Sequence, residues 1–548
     1  MDSITALKQF LKESFRGDVD DSLEAITKAS HDASLLEVIP KIVLFPKDTA
    51  DIQAVVHFVR VNKDTYPDLS VTVRSAGTCM AGGPLSESII VDVTRYMHGI
   101  ITISESEATV LPGTFYRDFE VETLKRGVLL PCYTASKNLN TLGGMVGNNS
   151  AGEKTLHYGK MENFVTALKV VFEDGNEYEV KPLTREELKN KLSQEDYEGA
   201  LYRNVWDIVS RNEAQLQTAK PKVSKNSAGY YLWNVWNGTT FDMTRLIVGS
   251  QGTLGIVTEV TVRLVPVKPI SKLFVVFMPE ISRLGDIVND ILAFKPESFE
   301  SYDDSTMALA IKFLPSMVKT MKLNFFRMMW SFIPEAYMAL AGGMPKLVLL
   351  VEFSGTDEKS IDDTMTALEA KLASYRFKMR RAKNEFDSEK YWTIRRESFN
   401  LLRQHVQGRR TAPFIDDVIV PPGVMPDFLP KMRKILDDYN LLYTIAGHAG
   451  NGNFHIIPLM DMKDPLSISA IDEVSDKVYD LVLSYGGSIT AEHNDGIIRT
   501  PYLAKMFGPE IISLFEKTKD AFDPKRILNP GKKVGGTKEY MISHLARS

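Results

Sequence analysis

Val71-Thr72-Val73-Arg74-Ser75-Ala76-Gly77-Thr78-Cys79-Met80-Ala81-Gly82-Gly83 joins a short β-rich run to a run of small residues. Valine and threonine favour a strand. The small residues after it let successive backbone N–H groups close around a pyrophosphate as an anion-binding nest. Two further loops of this kind follow, Asn140-Thr141-Leu142-Gly143-Gly144-Met145-Val146-Gly147-Asn148-Asn149-Ser150-Ala151-Gly152 and Gly249-Ser250-Gln251-Gly252-Thr253-Leu254-Gly255-Ile256-Val257-Thr258. Neither a G-x-G-x-x-G fingerprint nor a G-x-x-x-x-G-K-[ST] loop is found. Taken singly, each loop reads as turn chemistry. Three in one region, each near a predicted strand, point to a large nucleotide cofactor held in a non-Rossmann manner.

Working outward, the pattern alternates short strands with helices. Val71–Arg74, Ser88–Val93, Ala167–Phe172 and Leu246–Val248 are predicted strands, and Pro46–Asp51 is a turn into a helix. The class is α+β. Residues 1–35 read as a helical lead-in and 36–268 as a first domain. The proline-punctuated Leu264–Pro269 reads as a linker. A second α+β domain covers 269–500, with strands at Leu347–Phe353 and Tyr443–Ala446, and 501–548 is a C-terminal segment returning to the first domain. No repeat and no apolar run long enough to span a bilayer is found.

With 548 residues, 44% hydrophobic and 25% charged, the chain can bury a substantial core. Lys and Arg number 65 against 70 acidic residues, which gives no reason to expect nucleic-acid binding. Cys79 and Cys132 are the two cysteines, too few for a disulfide framework or a four-cysteine iron–sulfur cluster. Met1-Asp2-Ser3-Ile4-Thr5 lacks a signal-peptide pattern. A cytoplasmic location is the resulting expectation, with peripheral contact at the inner face of the membrane as its variant.

Chemistry concentrates in Gly447-His448-Ala449-Gly450-Asn451-Gly452-Asn453-Phe454-His455 and in Ala491-Glu492-His493-Asn494-Asp495-Gly496. Two imidazoles with one carboxylate are a common ligand set for a catalytic divalent metal, and they leave coordination positions for substrate. His448 and His455 cannot share a helical face, because glycine and asparagine between them break helices. Phe454–Pro458 reads as a strand that fixes His455 on a sheet. Two histidines alone read equally well as structural residues of a turn-rich segment. Glu492-His493, in a second Gly/Asn/Asp-flanked loop, tips the reading toward a metal.

The order of these loops, the two histidine motifs and Leu528-Asn529-Pro530-Gly531-Lys532 together resemble the FAD-linked oxidases of the vanillyl-alcohol oxidase (PCMH) type. Within that superfamily the resemblance is to the D-lactate, glycolate and D-2-hydroxyglutarate dehydrogenases, over roughly residues 40–535. It implies a PCMH-type FAD-binding domain of two α+β subdomains and an α+β cap domain of the FAD-linked oxidase C-terminal type. It implies that Ser75, Ala76, Gly77, Thr78 and Gly82 meet the pyrophosphate. Pro131, Ser136, Thr141, Gly143, Gly144, Asn148, Gly152, Tyr158 and Gly159 would line the cofactor channel, with Gly252, Gly255 and Ile256 near the adenine half and Asn529 as a further cofactor contact. His448, His455 and Glu492 match the metal-ligand positions, His493 the active-site histidine and Arg395 the carboxylate-binding arginine, with Arg396 an open alternative. The implied activity is oxidation of a D-2-hydroxy acid to the 2-oxo acid, with hydride passing to FAD. The metal is zinc first, with manganese or iron as alternatives. A quinone, a cytochrome or an electron-transfer flavoprotein would be the reoxidant, and a homo-oligomer the assembly. The rival readings are an alkyl-transfer synthase on the same scaffold and a non-catalytic flavin-fold subunit.

Three details depart from the resemblance. The first loop has fewer glycines than is usual. Cys79 stands where glycine is common, and with no histidine or lysine to activate it reads as an inert small residue. Asn494 follows the expected base where relatives often have glycine. Over 314–332, Leu314, Val318, Met321, Phe325, Met328 and Phe332 form an apolar stripe opposite Lys312, Lys319, Lys322 and Arg327, which suits a membrane-surface helix or packing on a cap domain or partner equally. The Trp392-Thr393-Ile394-Arg395 segment, taken alone, reads as a solvated helix face.

Overall fold

The computed structural model describes residues 2–312, 344–405 and 408–547. In its first sheet Ile42–Phe45 and Val71–Arg74 both run parallel to Ile89–Asp92 between them, and Asp18–Asp20 pairs antiparallel at the edge. Parallel strands need cover on their faces. Helix Thr49–Asn62 supplies it through Ile52, Val55, Val56 and Val59. The helix starts at Asp48, whose carboxylate caps the N–H of Asp51, as the Pro46–Asp51 turn predicts. The lead-in is not wholly helical. Helices Ser3–Ser14 and Leu23–Ala29 flank the strand Asp18–Asp20, a tripeptide too short to show a period-2 pattern.

A second, antiparallel sheet has the order Ile100–Ile103, Glu107–Val110, Ile256–Arg263, Val165–Val171, Glu177–Val180. Along Ile256–Arg263 burial alternates residue by residue, as one buried face requires. The expected strand Leu246–Val248 is instead in large part the short helix Thr244–Ile247. Asp242 accepts from the backbone N–H and hydroxyl of Thr244 and turns the chain there, and three apolar residues carry no period that separates strand from helix. The expected linker is also not free chain. Val265–Pro266 pairs with Val128–Leu129.

Beyond it, the strands Lys378–Arg381, Ile270–Met278, Leu347–Gly355, Ser298–Asp303, Leu442–His448, Asn453–Met460 and Arg410–Thr411 follow one another across a third, antiparallel sheet, and Val418–Ile419 also pairs with Asn453–Met460. Its central strands are buried on both faces. Phe274, Val276 and Met278 pack under helices Leu284–Leu292, Glu358–Leu372 and Met425–Asp438, while Leu273, Val275 and Phe277 pack with Tyr391, Trp392 and Ile394 of helix Glu385–His405. The Trp392 segment is therefore buried, against its reading as a solvated face. Near the C-terminus, Ile527 and Leu528 join the core of the first sheet, and Asn529 donates its N–H to the carbonyl of Val71. The segment 314–332 lies outside the described residues. Among those described, no helix is long and apolar enough to cross a membrane.

Candidate active site

The antiparallel pair Leu442–His448 and Asn453–Met460 places Ala446 opposite His455 and brings the two imidazoles to 5.2 Å between ring centres. Two glycines make the turn possible. A Cβ on Gly447 would sit 2.2 Å from the carbonyl oxygen of Asn453, and Gly452 has φ +72° and would meet the carbonyl of Val420 at 2.0 Å. Glu492 and His493 arrive from a separate loop that Asp417 holds. Its Oδ2 accepts from the backbone N–H groups of Ala491, Glu492 and His493 and from the Thr490 hydroxyl, and its Oδ1 accepts from Asn453.

The three imidazoles converge on one carboxylate oxygen. Glu492 Oε1 lies 3.1 Å from His448 Nε2, 3.2 Å from His455 Nε2 and 3.9 Å from His493 Nε2. Behind each ring, Nδ1 faces an acid: Glu300 at 2.5 Å for His448, and Asp416 at 3.2 Å for His455 and 2.6 Å for His493. The hydrogen bonds from Glu300 and Asp416 orient the His448 and His455 rings with Nε2 forward, the arrangement metal-ligating histidines use, and His493 meets Asp416 as a close ion pair. On the far side of Glu492, the fully buried Lys225 reaches Oε2 at 3.1 Å. Ligand atoms of Asp417, His455, Glu492 and His493 also lie within 4.8 Å of one another. Asp417, however, is saturated by the hydrogen bonds above, so its role is to hold the loop. The donor set thus fits a divalent cation through His448, His455 and Glu492, with His493 adjacent.

Charge in this cluster is strongly coupled. Burial disfavours the carboxylate of Glu300, but His448 and Arg395 beside it hold its pKa down at about 2. Burial opposes the Glu492 anion too, yet Lys225 and His448 keep it well below the usual range. Desolvation works against a charged His455, and hydrogen bonds to Asp416 and Glu492 outweigh it, raising its pKa to about 10. His493 is likewise raised against burial, by Asp416 and Asp417. The buried Arg499 offsets this negative charge from behind and donates to the carbonyls of Asn494 and Asp416.

The two candidate arginines separate cleanly. Arg395 donates through Nε to Glu300 at 3.0 Å and is nearly buried at the histidine cluster. Arg396 instead forms a bidentate pair with Glu153, both bonds 2.7 Å.

The glycine-rich loops meet beside this cluster. Thr141 caps helix Leu142–Asn148 by accepting from Gly144, and a Cβ on Gly144 would come within 2.8 Å of Ser75 Oγ, so the first two loops touch. Gln251 and Gly249 donate their N–H groups to the carbonyls of Gly147 and Val146, which seats the third loop on the second. The Asn148 side chain donates to the Glu492 carbonyl, and that of Asn494 to the Gly249 and Asn148 carbonyls. Asn494 has φ +68°, a left-handed conformation that asparagine tolerates. From Ser75 to Met80 the half-buried backbone N–H groups have no acceptor among the described residues. Such a row of donors fits the pyrophosphate of a dinucleotide. Gly77 and Gly82 have φ of +69° and +79°, and Gly82 donates to Asp32. Burial pushes the Cys79 thiol up to about 12, in keeping with an inert residue.

Other expected cofactor residues also have close neighbours within the chain. A Cβ on Gly143 would meet Pro112, one on Gly152 the Tyr133 carbonyl, one on Gly159 the Asn163 side chain and one on Gly255 Val170 and Phe172. Gly252 backs onto Val73, and Ile256 lies in the core. Asn529 spends its amide on Thr72, Gly83 and Gln251. Pro131 is buried, Ser136 pairs with the Thr134 hydroxyl and the Tyr158 ring lies against His157.

Sequence reading missed Glu300, Asp416, Asp417, Lys225 and Arg499. Two adjacent acids inside the apolar run Phe414-Ile415-Asp416-Asp417-Val418-Ile419-Val420 were a readable signal, because buried carboxylates are rare unless paired. Lys225 and Arg499 carry no such local mark.

The FAD binding domain family matches residues 40–181, and the family "FAD linked oxidases, C-terminal domain" matches residues 270–533. The chain is 29% identical over 545 residues to D-2-hydroxyglutarate dehydrogenase of Escherichia coli (strain K12), covering 96% of this chain and 51% of that protein. It is 26% identical over 535 residues to the glycolate oxidase subunit GlcD of Bacillus subtilis (strain 168), covering 96% of each. The chain thus spans about half the length of the first of these relatives. The solved structure of p-cresol methylhydroxylase with substrate bound superposes with a TM-score of 0.68 at 15% identity, covering 97% of both chains, and so shares the fold. With both domain families matched in order and the PCMH fold around them, the chain belongs to the FAD-linked oxidases.

Proposed function

We propose that this protein oxidises a D-2-hydroxy acid of the D-2-hydroxyglutarate, D-lactate or glycolate class to its 2-oxo acid, with FAD and a divalent metal, zinc ahead of manganese and iron. The observation that carries this reading is the convergence of three imidazole Nε2 atoms on Glu492 Oε1, each ring backed by an acid, beside the joined glycine loops. The relatives named for 2-hydroxy acids support it.

FAD would supply a hydride acceptor, and a divalent metal, which His448, His455 and Glu492 would hold, would supply a Lewis acid that lowers the pKa of the substrate hydroxyl. The remaining chemistry falls to the chain. Arg395 binds the substrate carboxylate through its guanidinium, a planar fork that suits two carboxylate oxygens. His493 Nε2 takes the hydroxyl proton, and Asp416 behind Nδ1 stabilises the imidazolium that forms. The acceptor that reoxidises the flavin is a quinone, a cytochrome or an electron-transfer flavoprotein. The sequence of residues 314–332 suits contact with a membrane surface and packing on the cap domain or a partner equally, and the membrane reading has a direct test. Sedimentation with anionic vesicles, lost when Phe325 and Met328 are changed to aspartate, is its expected result, and unchanged sedimentation of that variant counts against it. The activity itself is tested by anaerobic reduction of the flavin with D- and L-acids.

A further inference from the structure

Glu300 has a position that neither the ligand set nor the arginine clamp requires. It lies on strand Ser298–Asp303, between Leu347–Gly355 and Leu442–His448, with its side chain 1% exposed. Its two oxygens are divided. Oε1 meets His448 Nδ1 at 2.5 Å, and Oε2 takes Nε and Nη2 of Arg395, both at 3.0 Å. His448 comes from the neighbouring strand and Arg395 from helix Glu385–His405. One carboxylate therefore connects two elements that the chain delivers separately. Arg396, one residue on, is held by Glu153 and has no such link.

We propose that Glu300 is a positioning residue which fixes the carboxylate-binding arginine and a metal-ligating histidine relative to each other. This rests on the functional reading above. A carboxylate behind Nδ1 sets the His448 ring so that Nε2 faces the ligand site, and removing such a partner costs about 10- to 100-fold in metal affinity. The same carboxylate aims the Arg395 fork, whose two-bond geometry tolerates little misalignment. A single substitution should therefore weaken metal binding and substrate binding together, whereas a substitution confined to Arg395 should weaken substrate binding alone.

The test uses FAD-loaded protein stripped of metal by chelation and titrated with Zn2+ against a competing chelator, alongside KM for the preferred acid. Glu300→Gln and Glu300→Ala are expected to lower Zn2+ affinity by about 10- to 100-fold and to raise KM by about tenfold, the loss of one good charge-assisted contact. Arg395→Met should raise KM while leaving Zn2+ affinity within a few-fold, and Arg396→Gln should move neither. Thermal midpoint and FAD content show that the variants are folded, and Glu300→Gln, which keeps the side-chain shape, carries the test if Glu300→Ala does not fold. Wild-type Zn2+ affinity in both Glu300 variants, or a change in KM alone, would overturn this inference and leave the functional reading standing. Wild-type protein that binds neither Zn2+ nor Mn2+ would overturn both.

Discussion

His493→Ala is expected to slow reduction of the flavin by the hydroxy acid by about 100- to 10,000-fold, the usual contribution of a positioned general base, while FAD remains bound. The retention follows from the geometry, because the glycine loops are joined by their own backbone hydrogen bonds and by Asn148 and Asn494, none of which uses the His493 ring. The pH dependence has a definite sign. Asp416 and Asp417 raise the pKa of His493 against its burial, and only the neutral ring accepts a proton. Flavin reduction should therefore be slow at low pH and rise as pH passes through that raised value, and the rise should vanish in His493→Ala. Stopped-flow absorbance across pH measures both. Normal reduction in the variant would remove His493 from the base role.

Glu492→Gln should abolish binding of the divalent metal and with it turnover. Glu492 is the group on which His448, His455 and Lys225 all converge, so replacing its charge removes the anionic ligand and leaves Lys225, fully buried, without its counter-charge. The second effect should cost about 2 kcal/mol of stability, the scale for a buried hydrogen bond to a charged group. Metal analysis and denaturant titration of the same preparation separate the two. A variant with full metal content and full turnover would show that the histidine cluster is not a metal site.

Legibility in the sequence followed how local each feature is. Val71–Arg74 and its glycine loop could be read because strand propensity and small-residue turns are written in adjacent residues, and the same holds for the Pro46–Asp51 turn into a helix and the strand carrying His455. Leu246–Val248 differs from its strand expectation because three apolar residues fit either period, and the turn that Asp242 makes with Thr244 decides the matter. Asp416 and Asp417 carry a local mark in their apolar run, but Glu300 and Lys225 do not, because their partners are distant in the chain. Glu300 meets His448 across 148 positions and Lys225 meets Glu492 across 267, distances over which no spacing rule operates. Tyr391, Trp392 and Ile394 read as a helix face, but which way the face turned depended on the sheet beneath it.

The central claim, a flavin-linked dehydrogenase for D-2-hydroxy acids, is tested most directly by the visible spectrum of the FAD-loaded, metal-replete protein recorded anaerobically as D-lactate, L-lactate, glycolate and D-2-hydroxyglutarate are added in turn. The expected result is bleaching of the flavin band by at least one of D-lactate, glycolate and D-2-hydroxyglutarate, and no bleaching by L-lactate. A bound flavin whose spectrum none of the four acids changes would contradict it.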